Sequence, residues 1–195
     1  MPKLIIAVTG TPATGKSTFA KRLASRLRSS GIDATLIEIN DLVHGHGLFS
    51  GTDSSGAKIV VIKSLDKRLA SEMKLAGGVA IVVGHLVPEL HIGQKITVVT
   101  RSDLQALERR MRARRYGREK IRENLISEAV DYCGINSAKK GVEQYQVESA
   151  AEKDAVTGYI LGLASGRKPK RPKSIEHRKL GQLVHMIDKG NRYGF

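Results

Sequence analysis

The sequence predicts an α/β fold with a mostly parallel sheet. Two observations carry this: short continuous apolar runs alternate with longer segments of helical periodicity, and a glycine-rich phosphate-binding pattern sits between the first run and the first helix. The strand candidates are Leu4 to Thr9, Ala34 to Ile39, Val79 to Val83, Ile96 to Thr100 and, more weakly, Val142 to Val147. The first four are almost unbroken apolar runs, as expected of strands covered on both faces.

The helix candidates fall between them. Ser17 to Ser29 places Phe19, Leu23 and Leu27 on one stripe and stops before Gly31. Leu65 to Leu75 ends at Gly77-Gly78, Asp103 to Arg115 opens on a Ser102 or Asp103 cap, and Lys120 to Tyr132 and Ser149 to Ala164 complete the set. Two stretches break the rhythm. His44 to Gly56, rich in Gly and Ser, reads as a mobile insert, and Gly166 to Lys173 reads as a basic, proline-punctuated linker. Beyond the linker, Ser174 can cap a short helix carrying Ile175, Leu180, Leu183, Val184 and Ile187 and ending at Gly190.

Composition bounds the function. With 195 residues, no Trp and 4% aromatics, the chain suits one domain with an aliphatic core. The single cysteine, Cys133, excludes an internal disulfide framework and suits a reducing compartment; as a lone thiol it reads as a packing residue. No apolar run approaches the roughly 18 residues of a membrane span, and the short apolar N-terminus reads as a strand and not a signal peptide, so a cytoplasmic protein is expected.

The net charge of +14 is uneven. Gly166 to Phe195 holds nine Lys or Arg against two acids, and a second basic concentration lies between Arg109 and Arg122. Such runs are either solvated surface or sites for polyanions, which include nucleotide phosphates and RNA.

The motif Gly10-Thr-Pro-Ala-Thr-Gly15-Lys16-Ser17 matches G-x4-G-K-[ST] in its required setting, after a strand and before an amphipathic helix. Gly10 and Gly15 let the backbone wrap close to phosphate oxygens. The amides of Ala13 through Thr18 can point at those oxygens at a helix N-terminus. Lys16 supplies a point charge to the β- and γ-phosphates, and the Ser17 hydroxyl is a magnesium ligand. These residues imply binding of ATP with Mg2+ and phosphoryl transfer from it.

The segments beyond the loop narrow the choice among small kinases. Ile39-Asn40-Asp41-Leu42 and Leu48-Phe49-Ser50-Gly51-Thr52-Asp53 precede Val82-Val83-Gly84-His85 and then Arg109-Arg110-Met111-Arg112-Ala113-Arg114-Arg115-Tyr116, with Glu119 to Leu125 and Glu128 behind. This ordering resembles the CINAP-type adenylate kinases, the isoenzyme-six branch, over roughly Met1 to Ala164. The resemblance implies a P-loop nucleoside monophosphate kinase-like fold with a five-stranded parallel sheet, an acceptor-binding insert near 40–61 and a short lid near 113–123. It makes residues 1–165 the core and 166–195 a basic extension. It also implies adenylate kinase activity on ATP and AMP, accompanying ATPase activity, and a link to small ribosomal subunit maturation.

By the same resemblance Arg114 matches the arginine of the family's R-G-Y motif and Arg110 that of its preceding E-R-L motif. Both are expected over the transferring phosphoryl group, and a spacing of four puts them on one helical face. His85 matches a histidine that orients attacking water, although a hydrogen-bonded loop histidine explains it equally well. His44 and His46 offer at most a weak metal pair.

Three departures stand out. Val83 stands where an acid is common, so magnesium is expected to rest on Ser17, phosphates and water. Arg115 replaces the glycine of the lid motif, and Asp53-Ser54-Ser55 is less acidic than in relatives. These departures leave room for a competing reading: an ATPase assembly factor that switches binding to a ribosomal protein or rRNA, with little AMP kinase activity. A small-molecule or RNA 5′-hydroxyl kinase is a third. The tail either packs on the core or, held off by its prolines, docks on RNA or a ribosomal protein.

Overall fold

In a computed structural model, the described residues are 2–53, 58–173, 175, 177 and 179–188. The elements are β1 (Leu4–Thr9), α1 (Lys16–Ser29), β2 (Ala34–Glu38), α2 (Ile39–Gly45), β3 (Phe49–Thr52), β4 (Lys58–Val60), α3 (Ile62–Leu75), β5 (Val79–Val83), β6 (Ile96–Thr100), α4 (Leu104–Ala113), α5 (Arg118–Ala129), α6 (Tyr132–Ala138), β7 (Glu143–Val147), α7 (Ala150–Ala164) and α8 (Leu180–Asp188).

Five strands form one parallel sheet in the order β2-β5-β1-β6-β7, with Val8 level with Val83 and with Val98. Side chains alternate across it. Ile6 and Val8 pack with Phe19 and Leu23 of α1 and Ile160 of α7, while Ala7 and Val82 pack with Leu65 and Leu69 of α3 on the other face. Covering both faces is why β1, β5 and β6 read as unbroken apolar runs. The C-terminal ends of β2, β1 and β5 then lie side by side, where open parallel sheets place their ligands.

Two sequence expectations change within the core. The segment expected as a mobile insert carries structure: α2 runs to Gly45, and β3 and β4 pair as an antiparallel hairpin around residues 54–57, which lie outside the described residues. Leu42, Val43 and Phe49 anchor it on the core, a contact that three apolar residues among glycines do not announce. The helix expected from Lys120 to Tyr132 ends at Ala129; Asp131 takes a left-handed φ of 54° and caps the separate α6 by accepting from Gly134 N at 3.1 Å.

The prolines of the linker do not hold the tail away. Pro169 sits so close to α7 that a Cβ on Gly162 would come within 2.8 Å of its ring, and Arg171 pairs with Glu143 at 3.3 Å. Beyond it, Lys179 is buried against Glu148, and Leu183 and Met186 of α8 pack on α4 and α5. The expected stripe is split, because Leu180 and Val184 face outward. Ser174 and Gly190, expected as its cap and stop, lie outside the described residues.

Candidate phosphate-binding site

The loop between β1 and α1 is shaped by its glycines and by the strand beside it. Gly10 has φ 140°, and a Cβ there would fall 2.3 Å from the Thr100 carbonyl oxygen of β6, so only glycine allows this approach. Thr14 Oγ1 bridges the Thr11 carbonyl (2.8 Å) and Thr100 Oγ1 (2.7 Å). Thr14 N also donates to Thr11 O at 3.2 Å, so of the amides expected to face phosphate this one is already engaged.

Behind the loop lies a buried ion network. Arg101, with its side chain 1% exposed, donates from Nε to Glu128 Oε1 at 2.9 Å and contacts Asp131 Oδ1 at 2.5 Å. The other Glu128 oxygen accepts from Thr11 Oγ1 at 2.6 Å. Each charge is paired and each oxygen occupied, the condition for burying such groups. α5 is thereby tied to the phosphate loop.

In front of the loop opens a cavity of about 810 Å3. It is lined by Lys16, Ser17, Arg114 and Lys120, by His85 and Glu38, and by Asn40, His44, Asp53, Lys58 and Glu89. Ala13, Gly15 and Thr18 also face it. Lys16 Nζ donates to Thr11 O at 3.0 Å. Burial, with Arg114 adding to it and Glu128 opposing it, pushes the Lys16 ammonium down to about 8. His85 faces the cavity, yet its burial and the cations Lys16 and Lys120 push it down to about 4, so the ring is neutral near pH 7.

The structure brings Lys16, Ser17, His85 and Arg114 together and separates Arg110 from them. α4 ends at Ala113 in a Schellman turn, with Tyr116 N donating to Met111 O (3.1 Å) and Arg115 N to Arg112 O (2.8 Å). Arg114 N still donates to Arg110 O at 3.2 Å, so the backbone keeps the four-residue spacing, and it is the side chains that take different partners. Arg114 swings to the cavity, whereas Arg110 donates to Ala13 O (3.3 Å) and Ser102 Oγ (3.0 Å) at the side of the loop. Gly10 likewise lies beneath the loop and does not line the cavity.

A residue that sequence reasoning passed over is Glu38. Its carboxylate accepts from Ser17 Oγ at 2.9 Å and pairs with Lys21 at 3.1 Å. An acid at the C-terminal end of a parallel strand is the signal that would have found it. Hard oxygen donors from Ser17 and Glu38 fit Mg2+, which takes one or two carboxylates and fills its shell with water and phosphate oxygen. The acid thus comes from β2, where the sequence pointed to β5 and found Val83.

A family model described as "AAA domain" matches residues 6–131. A protein named "Putative adenylate kinase" from Methanococcus maripaludis is 31% identical over 153 residues, covering 77% of this chain and 82% of its own. The chain belongs to this adenylate kinase-like family. Another protein of that name, from Archaeoglobus fulgidus, is 30% identical over 178 residues, covering 89% of this chain and 91% of its own. In fold, the family member also matches the structure titled "Shikimate kinase from Acinetobacter baumannii in complex with shikimate", with a TM-score of 0.52 at 15% identity over 86% of this chain and 97% of that one. Among the described residues no helix is long and apolar enough to cross a membrane.

Proposed function

We propose that the protein transfers the γ-phosphoryl group of ATP to a nucleoside monophosphate, AMP first, and hydrolyses ATP slowly when no acceptor is bound. The observation that carries this reading is one cavity lined both by the phosphate loop and by residues of the segment expected to bind the acceptor. Lys16, Ser17 and Arg114 line it together with Asn40, His44, Asp53, Lys58 and Val60. The names of its relatives agree with it.

The roles derive from charge. The loop amides and Lys16 hold the β- and γ-phosphates, and Arg114 lies where charge develops on the transferring group. Ser17 and Glu38 would hold Mg2+, which neutralises phosphate oxygens when bound. His85, neutral near pH 7, can accept a hydrogen bond from a water and aim it, which assigns it to hydrolysis and not to transfer. Arg110 shapes the loop through the Ala13 carbonyl. A core of residues 1–165, with its lid near 113–123, would supply the groups that touch the nucleotide.

The resemblance to the CINAP-type branch extends the proposal to small ribosomal subunit maturation. One observation favours the second reading, an ATPase that switches binding to a ribosomal protein or rRNA. In Asn40 to Val61 Lys58 is the single Lys or Arg, and Asp53 and Glu89 line the same cavity. A nucleotide phosphate beside that segment meets little positive charge from it. ADP formation from ATP, measured with and without AMP, separates the two. Strong stimulation by AMP supports the kinase, and a rate indifferent to AMP supports the ATPase.

A further inference from the structure

The C-terminal tail tracks the outer edge of the sheet and ends on the lid helices. β7 is an edge strand, and described residues of the tail make contact along it at three points. Arg171 meets Glu143 at its start, the His177 amide donates to the Gln146 side chain (3.1 Å) near its middle, and Lys179 Nζ meets Glu148 just past its end at 2.5 Å. The ring nitrogens of His177 each lie 3.1 Å from a carboxylate, Glu148 on one side and Glu152 on the other.

From this anchor α8 reaches the catalytic half. Gln182 Oε1 accepts from Leu104 N (3.2 Å), one of the free amides at the start of α4. Leu183 and Met186 pack on the cluster of Leu104, Leu107, Met111, Ile121 and Leu125. That cluster also contains Ala13 of the phosphate loop. A second route runs through polar groups. Gln146 Oε1, which takes the His177 amide, also accepts from Arg101 Nη1 (3.1 Å), and Arg101 holds the Glu128 that holds Thr11. Tail, lid helices and phosphate loop therefore share one apolar cluster and one hydrogen-bond network.

We infer that Lys179, Gln182 and Leu183 are positioning residues for phosphoryl transfer: they seat α4 and α5 against the phosphate loop, so that Arg114 and Lys120 stand over the transferring group. This rests on the function proposed above. Ground-state ATP is held by the loop and Lys16, whereas lid placement acts on the transition state, so loss of the seat lowers kcat more than it weakens ATP binding. The tail is then part of the catalytic machine and cannot be removed while sparing the chemistry.

The test uses the full chain with Lys179→Ala/Leu183→Ala, with Gln182→Ala as a milder variant should the double variant not fold. Lys179→Arg keeps the ion pair, and Lys168→Ala/Lys170→Ala removes exposed linker charge only. The readouts are kcat for ADP formation, Kd for ATP, and amide hydrogen exchange over residues 104–125. We expect kcat about tenfold lower, Kd changed less than about threefold, and faster exchange over 104–125, with recovery in Lys179→Arg and no change in the linker variant. A variant that melts earlier while kcat and exchange stay at wild-type levels would overturn the inference. If the wild-type chain itself forms no ADP, the functional reading fails, and the exchange measurement alone still decides whether the tail seats the lid.

Discussion

The Ser17 hydroxyl donates a 2.9 Å hydrogen bond to the Glu38 carboxylate, joining the first turn of α1 to the end of β2. Two oxygen donors, the pair proposed above to hold Mg2+, are thereby held side by side at the phosphate loop. Glu38→Gln keeps the shape and removes the charge. It should raise the magnesium concentration for half-maximal turnover by about tenfold or more, the scale of a lost ligand or ligand partner. A magnesium titration that overlays the wild type would remove Glu38 from the site.

Arg114 and Arg110 should part company. Arg114→Ala should lower kcat on the order of 10^2 while leaving Kd for ATP nearly unchanged, because its partner charge appears in the transition state. Arg110→Ala frees the Ala13 carbonyl and should disturb ATP affinity as well. Equal kinetic defects in both variants would contradict the separation seen between them.

Lys16 gives a pH dependence. Its ammonium, pushed down to about 8 by burial, is charged below that pH and neutral above it in the free protein. Phosphate favours the charged form. ATP binding should therefore be level below about pH 8 and weaken as pH rises beyond it, by up to about tenfold per unit, with proton uptake on binding. Calorimetry at pH 7 and pH 9 in buffers of different ionisation enthalpy checks both features. Affinity flat across that range would contradict the depressed value.

Much of the sheet was legible because β1, β5 and β6 are buried on both faces and so nearly free of polar residues. The phosphate loop was legible because its geometry demands Gly10. The rest depended on long-range partners that periodicity does not encode. Glu38 looks like an ordinary strand-end acid until α1 brings Ser17 beside it. Arg110 and Arg114 look equivalent until the Ala13 carbonyl and Ser102 are seen to take Arg110. The tail's charges look solvated until Glu148 is seen to take Lys179.

The turn after Ala113 offers a stability prediction. Arg115 holds φ 58° at the position of a Schellman motif where glycine is favoured. A side chain there costs about 1 kcal/mol. Arg115→Gly should therefore stabilise the chain by roughly 0.5–1 kcal/mol, a rise in Tm of about 1–4 °C at this size. Thermal melting that shows a fall would mean that the arginine makes a compensating contact.

Phosphoryl transfer at the loop holding Lys16 is the central claim. Its most direct test is ADP formation from ATP and AMP by the wild-type chain and by Lys16→Ala, with circular dichroism confirming that both are folded. Wild-type activity with loss of all but about one part in 10^2 or less in the folded variant is the predicted result. A folded Lys16→Ala chain that still forms ADP at a substantial fraction of the wild-type rate would contradict the assignment.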